Sequence, residues 1–233
     1  MNIALLLSGG TGSRIGGEIP KQYIKVNGRS ILSFCLETLS KSQDVDAIQI
    51  VAADEWRGEI ADCVSKYDQK NKVRGVSVPG ETRQLSIYNG LTDIRTYAKD
   101  DDVVLIHDAA RPNLSSGMVH ACFTQIVGHD GVLPVLPMKD TVYQSVDGKV
   151  ISSLLDRSRI FAGQAPEAFV LGKYYEANER LLPDDIYRIN GSTEPAIMAG
   201  LDVAMISGDE NNYKITTQAD LERFRERLSE QAK

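Results

Sequence analysis

Short apolar runs alternate with segments of helical period along most of this chain, and this alternation constrains the fold more than any other feature. The apolar runs are continuous, which is typical of parallel strands that are buried on both faces. The segments between them place apolar residues three and four positions apart, as amphipathic helices do. We therefore predict an α/β fold with a doubly wound, mainly parallel, Rossmann-like sheet. The predicted strands are residues 2–8, 47–53, 73–78, 102–108, 130–138 and 202–208, and the predicted helices are residues 30–42, 55–67, 83–98, 116–127 and 216–231.

One segment, residues 140–158, breaks this pattern. It alternates polar and apolar residues around Asp147-Gly148, a pair that is typical of hairpin turns. A hairpin here would project from the sheet as an arm rather than join it. Because projecting arms often make contacts between subunits, a homodimer is one hypothesis, and a simple edge hairpin on a monomer is the alternative. We treat residues 1–233 as one domain that carries this arm.

Charge and composition argue against several classes of protein. Lys and Arg number 26 against 32 Asp and Glu, a net charge of −6, which disfavours broad binding to nucleic acid. A few cations focused in one cleft are still enough for a small anionic substrate. The first apolar run is too short for a signal peptide and no membrane-spanning stretch follows, so we expect a cytoplasmic protein without a membrane partner. Cys35, Cys63 and Cys122 lack metal-ligand spacing and are expected to be buried thiols.

The segment after the first predicted strand is rich in glycine and is expected to lie at the sheet edge where open α/β folds bind ligands. Three kinds of phosphate loop compete for it. An ATP-binding P-loop would close with Gly-Lys-Ser/Thr, where this chain has Ser13-Arg14. A dinucleotide loop would need glycine at Ile15 and a helix directly after it, which Pro20 interrupts. A long loop around a triphosphate, with Arg14 and Lys21 as its cations, accounts for every unusual residue.

Six motifs, in order along the chain, resemble the cytidylyltransferase branch of the nucleotidyltransferases. The first is GGTGSRIGGEIPKQY at residues 9–23, and the others are PGETRQLSIYNGL, IHDAARP, KDTV, GQAPEAF and GDENNYKITTQADL. Together they span almost the whole chain. The family that they resemble comprises the 2-C-methyl-D-erythritol 4-phosphate cytidylyltransferases and the related ribitol 5-phosphate cytidylyltransferases.

This resemblance implies transfer of CMP from CTP to a polyol phosphate, with pyrophosphate as the leaving group. Both reactants are anions, so cations at the α-phosphate are expected to dominate catalysis. By resemblance, Arg14, Lys21 and Lys214 are the catalytic cations. Asp108, at the end of a predicted strand, is expected to hold Mg²⁺ that bridges the CTP phosphates. His107 is expected to be a residue of the strand end, and no histidine is assigned a role.

The resemblance also implies where each substrate is bound. CTP is expected to contact Ser8, Gly9, Gly10, Thr11, Gly12, Gly80, Glu81 and Ser86. The acceptor is expected to contact Asp108, Arg111, Thr141, Arg157 and Thr193, since Arg can bind a phosphate with two hydrogen bonds and Thr can bind a hydroxyl. In the family the arm that carries Arg157 reaches the partner's active site. Ser8 and Pro79 replace the usual Ala and Gly, and we expect both changes to be tolerated.

The largest departures from the family pattern lie on the acceptor side. Thr193-Glu194-Pro195 replaces Thr-Asp-Asp or Thr-Asp-Glu, and GQAPEAF replaces the commoner Gln-Thr-Pro-Gln. HDAARP is more like the methylerythritol enzymes, whereas GGTG is more like the ribitol enzymes. We expect methylerythritol phosphate as the acceptor, with ribitol 5-phosphate as the alternative. More remote alternatives are an NAD(P)-dependent oxidoreductase, which Pro20 opposes, and a nucleotide-binding protein without catalysis, which the retained cations oppose.

Overall fold

The computed structural model describes residues 1–10 and 19–231. Its strands are β1 (Asn2–Leu7), β2 (Lys25–Val26), β3 (Arg29–Ser30), β4 (Ala47–Val51), β5 (Val73–Ser77), β6 (Val103–Asp108), β7 (Gly131–Pro137), β8 (Val142–Gln144), β9 (Ser153–Leu155), β10 (Phe161–Gly163), β11 (Glu167–Val170) and β12 (Val203–Ser207). Its α-helices are α1 (Ile31–Lys41), α2 (Arg57–Tyr67), α3 (Arg83–Ile94), α4 (Ser116–Gln125), α5 (Leu171–Glu179), α6 (Glu194–Met198) and α7 (Gln218–Gln231). All six predicted strands and all five predicted helices are present, with ends that shift by a few residues.

The main sheet is mostly parallel, as predicted. β1 lies at its centre and pairs in parallel with both β4 and β6, and β5 continues the sheet beyond β4. On the other side of β6, the antiparallel strand β11 separates β6 from β7. β10 also pairs with β7 in antiparallel orientation, and β12 pairs with β7 in parallel orientation. The sheet is therefore an open α/β sheet in which one antiparallel segment is inserted.

Both faces of the sheet are covered by helices, which explains the continuous apolar runs. On one face Ala4 and Leu6 of β1 pack with residues of α1, α2 and α4. On the other face Ile3 and Leu5 pack with residues of α3, α5 and α6. Successive side chains of a strand point to opposite faces, so a strand covered on both sides needs apolar residues at every position. The predicted doubly wound architecture is confirmed. No helix among the described residues is long and apolar enough to cross a membrane.

The predicted arm is present as a separate two-stranded sheet. β8 pairs with β9 in antiparallel orientation, from Val142 opposite Leu155 to Gln144 opposite Ser153. Residues 145–152 connect them, a loop longer than a two-residue turn, and Asp147 stabilises it by accepting the backbone N–H groups of Lys149 and Val150, each at 2.9 Å. The arm joins neither edge of the main sheet.

The region from β10 to α6 was not predicted from the sequence. β10 and β11 are short and are separated by Gln164, Ala165 and Pro166, so neither gives a clear strand period. α5 carries three polar residues on its exposed side and two buried tyrosines, Tyr174 and Tyr175, rather than an aliphatic stripe. This unpredicted region supplies the strand that lies beside β6 in the centre of the sheet.

Candidate active site

The carboxyl ends of β1, β5 and β6 and the start of α3 surround a cleft of about 580 Å³. Because these three strands are parallel, the residues that follow them meet at one edge of the sheet. Several predicted site residues lie together here. The cleft is lined by Leu7, Gly9, Gly10, Lys21, Gln22, Ala53, Pro79, Gly80, Glu81, Thr82, Arg83, Ser86, Asp108, Ala110 and Lys214.

A short 3-10 turn, Lys21–Tyr23, fixes the start of the glycine-rich segment. The Gln22 side-chain amide donates to the carbonyl oxygens of Ser8 (2.7 Å) and Gly10 (2.6 Å). The Ser8 hydroxyl donates to the Tyr23 hydroxyl, which donates to the Ser8 carbonyl. Ser8, predicted to contact CTP, therefore uses its buried side chain to hold the end of β1, and Gly9 and Gly10 line the cleft.

The turn before α3 also lines the cleft, through Pro79, Gly80, Glu81 and Thr82. A Cβ on Gly9 would lie 2.5 Å from the Cβ of Pro79, so the two loops approach each other at a distance that only glycine permits. The Ser86 hydroxyl accepts the Gly80 backbone N–H at 3.0 Å and donates to the Thr82 carbonyl at 2.8 Å. Thr82 in turn caps α3. Pro79 is thus part of the packing that shapes the nucleotide side of the cleft.

Asp108 is the centre of a cluster of cations. Its Oδ1 accepts from the Arg83 guanidinium at 3.0 and 3.1 Å, and its Oδ2 accepts from the Lys214 ammonium at 2.9 Å. Arg111 Nε lies 3.8 Å from the same Oδ2. Burial raises the pKa of Asp108, but the charges of these three cations outweigh burial and hold the pKa well below its usual range. The cluster carries more positive than negative charge and faces the cleft, an arrangement that suits a polyphosphate.

His107 is fully buried and Arg111 is half-buried, and neither is among the residues that line the cleft. Arg111 Nη1 donates to the Asn212 carbonyl at 2.8 Å. His107 Nε2 lies 3.1 Å from the Arg111 carbonyl, and burial lowers the pKa of His107 to about 4. The neutral ring therefore donates to this carbonyl and holds the turn after β6. This placement agrees with the interpretation of His107 as a strand residue. Arg111 therefore acts on the charge of Asp108 without lining the cleft.

The remaining predicted residues are more scattered. Thr11, Gly12 and Arg14 lie outside the described residues. Thr141 and Arg157 are exposed at the base of the arm, where Arg157 donates to the Lys139 carbonyl at 2.8 Å. Thr193 donates to a carboxylate oxygen of Glu167 at 2.8 Å. Within the described part of the chain, the structure therefore brings the predicted nucleotide contacts together around the cleft. Of the predicted acceptor contacts only Asp108 lines the cleft, and Arg111, Thr141, Arg157 and Thr193 do not.

Two polar side chains of the cleft that the sequence did not assign to the site are Arg83 and Gln22. Arg83 is the first residue of α3, where a cation is unfavourable next to the helix dipole unless an anion compensates it. This unusual position of a cation, directly after the PGET turn, could have identified Arg83 as a site residue from the sequence. Gln22 lies at the end of the first motif, but nothing in the sequence indicated that its side chain binds the carbonyl groups of Ser8 and Gly10.

The described residues contain no group of three or more His, Cys, Asp and Glu side chains that could hold a metal ion. Asp108 is ionised, but both of its oxygens already accept from cations. Mg²⁺ keeps several waters and commonly takes one or two carboxylates plus substrate phosphates. These residues therefore fit a magnesium ion that arrives with a triphosphate and takes a single protein ligand, and they do not form a metal cage of their own.

Comparison with known proteins agrees with this geometry. The family model described as IspD: 2-C-methyl-D-erythritol 4-phosphate cytidylyltransferase matches residues 2–229. A 2-C-methyl-D-erythritol 4-phosphate cytidylyltransferase of Corynebacterium glutamicum is 33% identical, over 94% of this chain and 89% of that protein. A ribitol-5-phosphate cytidylyltransferase of Streptococcus agalactiae is 29% identical, over 97% of this chain and 94% of that protein.

Solved structures are similar over nearly the whole chain. The 4-diphosphocytidyl-2C-methyl-D-erythritol synthase of Anaerococcus prevotii superposes with a TM-score of 0.83 at 26% identity, covering 98% of this chain and 96% of that chain. The IspD of Francisella tularensis gives a TM-score of 0.79 at 26% identity, with 96% and 97% covered. From the family match, the relatives and the shared fold together, this chain belongs to the IspD family of cytidylyltransferases.

Proposed function

We propose that this CTP-dependent nucleotidyltransferase transfers CMP to 2-C-methyl-D-erythritol 4-phosphate, a step of isoprenoid precursor synthesis. The observation that carries the proposal is the excess of cations around Asp108, next to the glycine-rich segment after β1. The HDAARP motif that surrounds Asp108 is more like the methylerythritol enzymes. The family model and the solved relatives named above support the same acceptor.

In this mechanism an oxygen of the acceptor phosphate attacks the α-phosphorus of CTP, and pyrophosphate leaves. Lys21 and Lys214 line the cleft from opposite ends of the chain and would neutralise the charge that accumulates on the α-phosphate. Arg83 would bind the same phosphates from the start of α3. Arg14 is proposed to act with them from the glycine-rich loop. No side chain needs to transfer a proton, because a phosphate oxygen attacks and pyrophosphate is a good leaving group.

We also propose Mg²⁺ as the cofactor, held by Asp108 and by the CTP phosphates. When bound, it would supply positive charge and keep the triphosphate in one conformation. Asp108 would then share its carboxylate between the metal and the surrounding cations. Its low pKa keeps it available as a ligand throughout the physiological range.

Ribitol 5-phosphate is the second candidate acceptor, because several relatives at 29% identity are named ribitol-5-phosphate cytidylyltransferases. The Glu194-Pro195 departure lies at the start of α6. The Glu194 carboxylate accepts the backbone N–H of Asn190 at 2.8 Å and that of Gly191 at 3.4 Å, so it closes the turn before Thr193. A change here would move Thr193, the predicted contact of an acceptor hydroxyl.

Release of pyrophosphate distinguishes the two acceptors. The purified enzyme is supplied with CTP, Mg²⁺ and either methylerythritol 4-phosphate or ribitol 5-phosphate, and kcat/KM is measured for each. We expect the first acceptor to be preferred by at least about tenfold, since a site built for one pattern of hydroxyls rejects another by such factors. We also expect chelation of the divalent cation to stop the reaction. Preference for ribitol 5-phosphate would overturn the acceptor assignment but not the reaction type.

The arm supports the further proposal that the enzyme is a homodimer. Its apolar side chains are exposed on the single chain: Tyr143, Val146, Val150, Ile151 and Leu154. Such an extended apolar surface is typical of a contact between subunits. Sedimentation at micromolar concentration should give a species of twice the chain mass of 25.6 kDa, and Leu154→Asp should shift it to the single chain. A wild-type protein that sediments only as one chain would contradict this proposal.

We place the enzyme in the cytoplasm. Cys35, Cys63 and Cys122 are all free and buried, as predicted, and free thiols are the rule in a reducing compartment. Both proposed substrates are also small phosphorylated metabolites, which are made and used inside cells.

A further inference from the structure

Glu167 is a buried acid at the start of β11, within the main sheet. It is only 6% exposed, and it pairs with Ile106 of β6, two positions before Asp108. A carboxylate at such a position is costly unless it is hydrogen-bonded or balanced by charge. The GQAPEAF motif places Glu167 where the family commonly has Gln. The proposed reaction does not use this residue, so its burial requires another explanation.

Both oxygens of the Glu167 carboxylate accept hydrogen bonds from hydroxyl groups of one turn. Ser192 Oγ donates to Oε1, and Thr193 Oγ1 donates to Oε2 at 2.8 Å. Burial raises the pKa of Glu167 and outweighs the charge of Arg83 and the two hydrogen bonds, which act in the opposite direction. Both hydroxyls donate to this side chain, so each of them uses its only proton on Glu167.

The two hydroxyls differ in exposure. Ser192 is 2% exposed, and its backbone carbonyl accepts the Tyr174 hydroxyl at 2.6 Å, so the residue is fixed inside the protein. Thr193 is half-buried. A hydroxyl has one proton and two lone pairs. Because the Thr193 proton is directed to Glu167, only lone pairs of Thr193 are available to a ligand.

We infer that Glu167 sets the direction of hydrogen bonding in the acceptor subsite, so that Thr193 binds a substrate group that donates, namely a free hydroxyl of the polyol. This inference rests on the proposed function, which places the polyol phosphate beside Thr193. Glu167 is a positioning residue, since it acts through Thr193 and touches no substrate. It makes the subsite selective for a hydroxyl over an isosteric group that can only accept.

Glu167→Gln should reverse the direction of the hydrogen bond between residue 167 and Thr193. The amide of Gln carries one acceptor oxygen and one donor nitrogen, so one of the two hydroxyls must turn its proton elsewhere. Ser192 has no other acceptor among its described contacts, and an unpaired buried proton is costly. Thr193, which is half-buried, can direct its proton outwards. The amide nitrogen should therefore donate to Thr193, and Thr193 should then donate to the ligand.

The test uses the full chain and a series of acceptors in which one hydroxyl at a time is replaced by fluorine, which accepts weakly and cannot donate. For the wild type we expect one position at which the fluoro analogue loses about tenfold or more in kcat/KM. Glu167→Gln should reduce this penalty at least about fivefold. Its KM for CTP should stay within about twofold of the wild-type value. Thr193→Val should abolish the same penalty, and Glu176→Gln, an exposed acid on α5, should keep it in full.

Each outcome supports or overturns the inference. Calorimetry with CTP checks that each variant is folded. If Glu167→Gln is not folded, Glu167→Leu takes its place, because it also removes the acceptor of the Thr193 proton and should reduce the same penalty. A penalty that persists in Glu167→Gln or Thr193→Val, or one that is absent at every position of the wild type, overturns the inference while the reaction stands. If the wild type converts no unmodified polyol phosphate, the proposed function itself fails, and the inference fails with it.

Discussion

Lys21→Ala should reduce kcat about 10²- to 10³-fold, the loss that removal of one stabilising donor from a charged transition state commonly causes. Lys21 is 9% exposed and lines the cleft directly after Pro20. An exposed cation would be screened by water, whereas a buried one acts at lower dielectric and has a larger effect. Steady-state release of pyrophosphate at saturating CTP and acceptor measures this loss.

The matched control is Lys25→Ala. Lys25 is four residues away, its side chain is 61% exposed, and it pairs with Glu59 at 3.4 Å outside the cleft. Its replacement should leave kcat within about twofold, because an exposed ion pair contributes little. The thermal unfolding midpoint of both variants should stay within a few degrees of the wild type. A Lys21→Ala enzyme that keeps more than half of its activity would contradict the proposed mechanism.

Asp108→Asn should lower the free energy of unfolding by about 2 to 4 kcal/mol at pH 7, since the Asp108 charge balances three buried or half-buried cations. Loss of one partner of a fully buried ion pair costs about 3 to 5 kcal/mol, and the lower figure allows for the 34% exposure of Arg83 and the 32% exposure of Lys214. Urea unfolding measures the change. Asp101→Asn, an exposed acid before β6, is the control and should change little.

The same variant separates charge balance from simple packing. A triphosphate brings negative charge to Arg83 and Lys214, so CTP without divalent cation should stabilise Asp108→Asn more than it stabilises the wild type. If the defect were purely steric, CTP would raise the unfolding midpoint of Asp108→Asn by the same amount as that of the wild type. Equal shifts, or no loss of stability in the variant, would show that Asp108 does not hold these cations together.

The sheet was predictable because its strands are covered on both faces. β1 and β4 are apolar at nearly every position, and few other structures allow such runs in a chain of this composition. The glycine-rich segment was recognisable because close contact between two loops requires glycine. A Cβ on Gly9 would clash with Pro79. Features that a single steric or solvation rule determines were therefore visible in the sequence.

Other features depend on contacts between distant segments, and the sequence does not show them. Lys214 lies 106 positions from Asp108, and only a resemblance to other proteins brought them together beforehand. Arg83 lines the cleft from the start of α3, and Glu167 lies at the start of β11. Only the folded structure brings their charges close enough to interact. β11 was missed because it is short and follows a proline. The acceptor side is consequently less predictable than the nucleotide side.

The central claim is that the enzyme joins the α-phosphate of CTP to the phosphate of a polyol. Phosphorus NMR of a reaction with CTP, Mg²⁺ and methylerythritol 4-phosphate tests it directly. We predict that signals of CTP and of the monophosphate are replaced by those of pyrophosphate and of a new diphosphate diester in equal amounts. Formation of CMP and pyrophosphate with the monophosphate unchanged, or an unaltered spectrum despite tight binding of CTP, would contradict the account.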